Sequence, residues 1–184
     1  MDIKVAIFED NKLVRDALQS ILNSTPGYAC VGAFDNGRHW QQELQRCHAD
    51  VVLMDIELPG LDGIELTKLI TAQFEGIKIL IQTVFDDNDK IFNALCAGAH
   101  GYILKTDPPG KYLEAVKELH NGGSFINTAV ARKTLSFFTN KNMILVSPEN
   151  KDYYLSDREK EILLLLVDGM ALKLIAEQLF ISHE

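Results

Sequence analysis

The first 122 residues of the chain predict an α/β fold with a doubly wound parallel sheet of five strands. Three observations support this prediction. Short apolar runs alternate with longer amphipathic stretches, the alternation repeats five times, and most runs are apolar at consecutive positions. Strands that alternate with helices form parallel sheets through right-handed crossovers, which place helices on both faces. Consecutive apolar residues are expected in strands that are covered on both faces.

The predicted elements follow one another in order along this region. The strands are residues 3–8, 29–34, 51–54, 77–82 and 101–104. The helices are residues 12–22, 37–47, 62–74, 87–97 and 109–120. Asn11 is the expected N-cap of the first helix, and the apolar residues after it have helical spacing: Leu13, Val14, Leu18 and Leu22. Pro108 and Pro109 suit the start of the fifth helix, and Gly122-Gly123 marks its end.

Two further segments follow the predicted sheet. Residues 123–153 are expected to contain a linker helix at 127–138 and then a polar linker rich in asparagine. Residues 154–184 predict two short helices. Ser156 and Glu159, three residues apart, form a capping box that opens the first of them, and Gly169 ends it. The second covers residues 171–180.

Composition limits the kinds of protein that this chain can be. With 184 residues, 47% of them hydrophobic, it can bury a real core, and no apolar run is long enough to cross a bilayer. The N-terminus lacks the pattern of a secretory signal, so we expect a cytoplasmic protein. Cys30, Cys47 and Cys96 are interpreted as buried thiols, not as a disulfide framework or a zinc site. A net charge of −8 argues weakly against nucleic-acid binding by the whole surface, but it allows a small basic module at one end.

Polar side chains stand where the predicted strands end. Glu9 and Asp10 follow the first strand, Asp55 follows the third, Thr83 the fourth and Lys105 the fifth. Ligands of doubly wound sheets bind at the carboxyl ends of the strands. These five side chains are therefore expected to share one crevice.

The chemistry of this set favours phosphoryl transfer. Three close carboxylates repel one another, and a hard divalent cation such as Mg²⁺ removes that repulsion and also accepts phosphate oxygens as ligands. One carboxylate is then free to attack phosphorus and form an acyl phosphate. Lys105 and Thr83 supply a positive charge and a hydrogen-bond donor for the oxygens of the transferred group.

Each of these residues also has an ordinary structural explanation when it is taken alone. Asp55 could cap a helix or lie in a solvated loop, and Glu9 with Asp10 could interact with the dipole of the next helix. Lys105 could be a solvated surface lysine. Their joint placement at four strand ends favours the functional interpretation.

The motifs around these residues resemble the receiver domain of response regulators. They are IFEDN at 7–11, VVLMDIELPGLDG at 51–63, Thr83, and AGAHGYILK at 97–105, and they occur in the expected order within residues 1–122. The last motif resembles the NarL/FixJ subfamily, whose output is a LuxR-type helix-turn-helix. The resemblance implies the flavodoxin-like form of the predicted sheet.

The resemblance also implies a role for each site residue. Asp55 would be phosphorylated by a partner histidine kinase. Glu9, Asp10, the carboxylate of Asp55 and the backbone carbonyl of Glu57 would hold Mg²⁺.

Other residues would act on the phosphoryl group or respond to it. Thr83 and Lys105 would contact the phosphoryl oxygens. Tyr102 would be an aromatic switch that moves inward as Thr83 moves, although an ordinary aromatic residue on an edge strand is the alternative. Pro59 and Gly63 would shape the loop beside the site.

Two positions depart from the pattern of receivers. Val84 follows Thr83 where a small residue is common, so we expect narrower access to Asp55. Thr106 follows Lys105 where other receivers have proline, and a cis peptide without proline is costly, so the geometry at that bond stays open.

Residues 154–184 resemble the first two helices of the LuxR-type helix-turn-helix. The recognition helix, which enters the major groove in such domains, would begin where the sequence stops. In the segment Ala171-Leu172-Lys173-Leu174, only Lys173 matches the polar pattern of the family. We therefore expect a truncated output domain, with weak DNA binding by this chain and DNA binding by a complete parent protein.

The leading hypothesis is a two-component response regulator, a phosphoacceptor switch and not an enzyme, with at most slow autodephosphorylation. A homodimer is expected. One alternative is a phosphorylation-independent interaction module that keeps the receiver shape. Another is an aspartate-nucleophile phosphatase, which Glu9-Asp10-Asn11 disfavours because such enzymes have Asp-x-Asp-Gly after the first strand.

Overall fold

The computed structural model describes residues 2–84 and 88–139 of the chain. Six strands form one parallel sheet in the order β2-β1-β3-β4-β5-β6. The strands are β1 Ile3–Phe8, β2 Tyr28–Phe34, β3 Val51–Asp55, β4 Lys78–Thr83, β5 Gly101–Leu104 and β6 Phe125–Ile126. The helices are α1 Lys12–Ser24, α2 Trp40–Cys47, α3 Gly63–Gln73, α4 Asn88–Cys96, α5 Pro109–His120 and α6 Thr128–Thr139. The predicted linker at 140–153, the partial helix-turn-helix at 154–184 and Lys173 lie outside the described residues.

The predicted α/β fold is confirmed, with one strand more than expected. Predicted and observed bounds of the first five strands agree within one residue. The sixth strand, β6, has two residues and pairs with Gly101 and Tyr102 of β5. A two-residue strand contains no alternation or apolar run, so the sequence pattern could not reveal it.

Helices cover both faces of the sheet, as a doubly wound fold requires. Buried residues of α1 and α5 pack on one face, and those of α2, α3 and α4 pack on the other. All five residues of β3 are buried, which explains why that run is apolar without alternation. The edge strand β2 is only half-buried along its length.

The first helix begins as the sequence predicts. The side chain of Asn11 accepts hydrogen bonds from the backbone N–H groups of Leu13 and Val14, at 3.0 and 3.4 Å. Leu18 and Leu22 face the core, whereas Leu13 is 81% exposed. Val14, in the first turn, is partly buried against the same cluster, so Leu13 is the one member of the predicted stripe that lies away from the core.

The cysteines differ from the prediction of three buried thiols. Cys30 and Cys47 are half-buried, and burial raises the pKa of both thiols. Cys96 is exposed, so the prediction is wrong at this position. It is the last residue of α4. Among the described helices, none is both long and apolar enough to span a bilayer.

The helix α6 packs on the same core as the rest of the sheet. Val130, only 1% exposed, lies in the apolar cluster that contains Ile91 and Ala94 of α4 and Tyr102 of β5. Asn127 caps this helix by accepting a hydrogen bond from the backbone N–H of Val130 at 2.9 Å. The residues after α5 thus extend both the sheet and its core.

Candidate functional site

The strand order brings the predicted site residues to one edge of the sheet. The strand β3 lies between β1 and β4, and β5 lies beside β4. Glu9 directly follows β1, and Lys105 directly follows β5. Asp55 is the last residue of β3, and Thr83 is the last residue of β4. Because all these strands are parallel, their carboxyl ends meet at the same edge.

Three carboxylates converge at this edge. Ligand oxygens of Glu9, Asp10 and Asp55 lie within 4.8 Å of one another. Glu9 is fully buried and Asp55 is 3% exposed, whereas Asp10 faces solvent. Carboxylate oxygens are the donors that Mg²⁺ prefers, and an open solvent side leaves room for the waters that it keeps. The donor set therefore fits a hard divalent cation.

Lys105 joins the two buried carboxylates. Its Nζ lies 2.7 Å from Oδ2 of Asp55, and 2.6 and 2.9 Å from Oε2 and Oε1 of Glu9. The Lys105 side chain is 15% exposed. Three carboxylates against one ammonium leave an excess of negative charge, which a divalent cation would balance.

Burial and charge act on the site in opposite directions. Burial raises the pKa of Glu9, and the hydrogen bond from Lys105 only partly offsets that effect. Burial likewise raises the pKa of Asp55, against the lowering effect of Lys105, while the charge of Asp10 raises it further. Burial alone would lower the pKa of Lys105, but its hydrogen bonds to Asp55 and Glu9 outweigh burial and raise it. The ammonium therefore stays charged, and it is the partner of both acids.

The loop after β3 holds Asp55 from its other side. Oδ1 of Asp55 accepts a long hydrogen bond of 3.4 Å from the backbone N–H of Glu57. The Glu57 side chain points outward, 3.6 Å from Lys90, which leaves its backbone as the part of that residue nearest the site. Gly63 packs so tightly that an added Cβ would lie 1.8 Å from the backbone oxygen of Asp55. Only glycine fits there, in keeping with the loop-shaping role expected of Gly63.

Thr83 and Tyr102 are both fully buried beside the site. Tyr102 pairs in register with Ile81 of β4 on one side and with Ile126 of β6 on the other. Tyr102 therefore lies in an interior strand and not on an edge strand, and its role as a switch stays a prediction. Val84, next to Thr83, is 63% exposed. The peptide bond after Lys105 is trans, as are the other described peptide bonds.

Two residues that contact the acidic site were not predicted from the sequence. Arg15 of α1 donates hydrogen bonds to the backbone carbonyls of Glu9 and Asp10, at 2.5 and 3.1 Å. Gln82 of β4 is fully buried and donates to Oε2 of Glu9 at 3.3 Å. A polar residue in the apolar run of β4 was a visible signal for Gln82, whereas nothing in the sequence distinguishes Arg15 from a solvated helix residue.

A parallel α/β sheet with a buried Asp–Lys–Glu set at its carboxyl edge defines a receiver domain. Residues 5–117 match the response regulator receiver domain family, and residues 153–184 match the bacterial regulatory proteins of the luxR family. The chain therefore belongs to the response regulators of the NarL/FixJ type.

Relatives of established identity span almost the whole chain. The transcriptional regulatory protein LiaR of Bacillus subtilis is 33% identical over 180 residues, which cover 98% of this chain and 83% of LiaR. The oxygen regulatory protein NreC of Staphylococcus aureus is 34% identical, over 98% of this chain and 84% of NreC. Among solved structures, the complex of the two-component response regulator RcsB with DNA is similar at 25% identity and a TM-score of 0.68, over 99% of this chain and 85% of RcsB.

Proposed function

We propose that Asp55 accepts a phosphoryl group from a histidine kinase and that this modification controls a transcriptional output. One observation supports this above the others: the buried carboxylate of Asp55 lies between Lys105, at 2.7 Å, and two further acids. A structural aspartate in a loop does not need a buried lysine and two neighbouring carboxylates. A receiver that is phosphorylated needs both.

The metal ligands would be Glu9, Asp10, Asp55 and the backbone carbonyl of Glu57. Bound Mg²⁺ would supply charge neutralisation to the carboxylates and to the incoming phosphoryl oxygens. The burial of Glu9 supports this assignment, because a buried carboxylate is costly to keep ionised and the one ammonium beside it, that of Lys105, is shared with Asp55.

The chain's own residues would hold the reacting groups. An oxygen of Asp55 forms the new O–P bond as the P–N bond of the kinase phosphohistidine breaks, and the imidazole leaves with the electron pair. The Nζ of Lys105 can turn from the carboxylates to a phosphoryl oxygen. The hydroxyl of Thr83 donates to another oxygen from the end of β4. Since Val84 directly follows Thr83 where a small residue is common, we also expect autodephosphorylation to be slow at most.

The switch would run from Thr83 to Tyr102. These residues lie on neighbouring strands, β4 and β5, and both are fully buried. Phosphorylation would draw Thr83 towards Asp55, and the Tyr102 ring would fill the space that Thr83 leaves. Tyr102 shares its core with α4 and α6, through which the change would reach the surface.

The output would be DNA binding by the LuxR-type segment, in a homodimer. The match of residues 153–184 to the luxR family supports this, as does the similarity to RcsB, a regulator solved on DNA. Lys173 would contribute at most a weak contact, and a complete recognition helix would carry most of the DNA binding.

Beryllofluoride binding tests the assignment of Asp55. With Mg²⁺ present, the wild-type chain should bind this acyl-phosphate mimic and show a protein-bound signal by fluorine NMR, and Asp55→Asn should not. Asp50→Asn is the matched control, because Asp50 directly precedes β3 at its opposite end and accepts a hydrogen bond from Lys4 N–H at 2.8 Å. Equal binding by wild type and Asp55→Asn would overturn the proposal. Failure of the folded wild type to bind would favour the phosphorylation-independent interaction module.

A further inference from the structure

Gln82 is a polar residue at a buried strand position, where an apolar side chain is expected. It lies in β4 between Ile81 and Thr83 and pairs in register with Asp55 of β3. Its side chain is fully buried. Its Nε2 donates to Oε2 of Glu9 at 3.3 Å, while its Oε1 has no hydrogen-bond partner among the described residues.

Such an amide is a cost to folding. A buried polar atom without a partner destabilises a protein by about 1–3 kcal/mol. Of the other four buried positions of β4, three are apolar (Ile79, Leu80 and Ile81) and the fourth is the site residue Thr83. Natural proteins keep a residue that costs stability at a buried position mainly where that residue serves a function. The retained contact of Gln82 is the one to Glu9, so the function of Gln82 should lie there.

The orientation of the amide follows from the charge of its neighbour. Glu9 carries the ion pair to Lys105 and is therefore ionised, so that an amide oxygen turned towards Oε2 would be repelled. The N–H group must face the carboxylate, which leaves Oε1 as the atom without a partner. The observed arrangement is thus the favourable one of the two.

Donors other than Lys105 are what fix the Glu9 carboxylate once the lysine has moved. In the described part of the chain, Oε2 receives Lys105 and Gln82, and Oε1 receives Lys105 and the backbone N–H of Asn11 at 3.2 Å. When Lys105 turns to a phosphoryl oxygen, the amide of Gln82 and the N–H of Asn11 remain. Gln82 then donates to Oε2 of Glu9, and Asn11 donates to Oε1.

We infer that Gln82 is a positioning residue of the acidic site, which holds the Glu9 carboxylate in the orientation needed to bind a divalent cation. The inference rests on the proposed function for the identity of the cation site. It assigns to Gln82 no contact with the cation or with the phosphoryl group. Its effect is on how well Glu9 is placed before either arrives.

Direct measurement of Mg²⁺ binding tests this role. Gln82→Leu should weaken Mg²⁺ binding about tenfold by isothermal titration calorimetry, as expected for the loss of a hydrogen bond to a charged group. Leu80→Met is the matched control, because Leu80 lies two residues earlier in the same strand and belongs to the cluster on the other side of β4 from Ile79 and Ile81. It should leave Mg²⁺ affinity unchanged.

A second readout separates positioning from a purely structural role. The Mg²⁺ concentration that half-saturates beryllofluoride binding should rise by the same factor in Gln82→Leu, while binding at saturating Mg²⁺ stays at the wild-type level. A structural role would change the stability of the metal-free protein and leave the half-saturating concentration unmoved. Gln82→Met, which keeps the length of the side chain, replaces Gln82→Leu if the latter does not fold.

The possible results distinguish this inference from the proposed function. Wild-type Mg²⁺ affinity in a folded Gln82→Leu or Gln82→Met chain overturns the positioning role and leaves the phosphoacceptor role of Asp55 intact. Absence of Mg²⁺ and beryllofluoride binding in the folded wild type overturns the proposed function itself, and the inference falls with it.

Discussion

Replacement of Lys105 by methionine removes the positive charge between two buried acids. The ammonium lies 2.6 Å from Glu9 and 2.7 Å from Asp55, and its side chain is 15% exposed. Methionine keeps most of the apolar stem, so that the change acts mainly through charge. In the absence of Mg²⁺, the variant leaves both carboxylates without their cation.

The size of the effect follows from the burial of the pair. Loss of one partner of a buried ion pair costs about 3–5 kcal/mol. Here the site opens to solvent on the side of Asp10, and the acids can take up protons, so we expect the lower end of that range. At neutral pH and without Mg²⁺, the free energy of unfolding of Lys105→Met should fall by about 3 kcal/mol.

The pH dependence has a definite sign. Burial already raises the folded-state pKa values of Glu9 and Asp55 above their ordinary 4.5 and 3.8, in spite of Lys105. An acid with a raised folded-state pKa stabilises the fold below its unfolded pKa and loses that contribution as the pH rises through the folded value. Removal of Lys105 raises both pKa values further. The deficit of the variant should therefore shrink as the pH falls from neutral towards the ordinary carboxyl range.

Urea unfolding in EDTA at a series of pH values measures the loss of stability in Lys105→Met. In a parallel series with Mg²⁺, part of the lost free energy of unfolding should be restored. Lys111→Met is the matched control, because Lys111 pairs with Glu114 at 2.7 Å on the surface of α5, with its side chain 49% exposed. Exposed pairs contribute about 0–1 kcal/mol. A free energy of unfolding of Lys105→Met that is no lower than that of Lys111→Met at neutral pH would show that Lys105 does not stabilise the buried acids.

Two further changes test the surroundings of the site and the opposite end of the sheet. Gly63→Ala should destabilise the chain by about 1–3 kcal/mol and weaken beryllofluoride binding, because the new Cβ would displace the backbone of Asp55. Gly76→Ala is the control: it has open space around its Cβ, so urea unfolding and beryllofluoride binding should both stay at the wild-type level. Nδ1 of His100 accepts from Ile79 N–H at 3.2 Å, and burial lowers the pKa of His100. The contribution of this hydrogen bond to the free energy of unfolding should thus be complete above pH 6.5 and fall by about 1 kcal/mol below it. In His100→Asn, the pH dependence of the free energy of unfolding should lose this step, and an unchanged pH dependence would contradict the role given to His100.

The convergence of Glu9, Asp55 and Lys105 could be predicted because these residues lie at the ends of strands. In a parallel sheet, the strand pattern alone places Glu9, Asp55 and Lys105 at one edge, and the alternation of strands and helices was visible in the sequence. The cap at Asn11 was likewise a local signal, and the structure confirms it.

Contacts that depend on packing between distant segments could not be predicted in the same way. The amide of Gln82 meets Glu9 across 73 positions of sequence. The exposure of Cys96 depends on how the end of α4 meets the sheet, and composition does not reveal that. The pairing of β6 with β5 involves two residues on each strand, which is too few to leave a pattern.

The short strand β6 forms the edge of the sheet beside β5. Without it, β5 would present its backbone N–H and C=O groups along an open edge, and such an edge is a template for pairing with another chain. By pairing with Gly101 and Tyr102, β6 covers the first half of that edge. The α6 helix that follows is anchored by Val130. Fragments cut before Phe125 should therefore tend to self-associate through the edge of β5, whereas fragments that retain β6 and α6 should not associate through that edge.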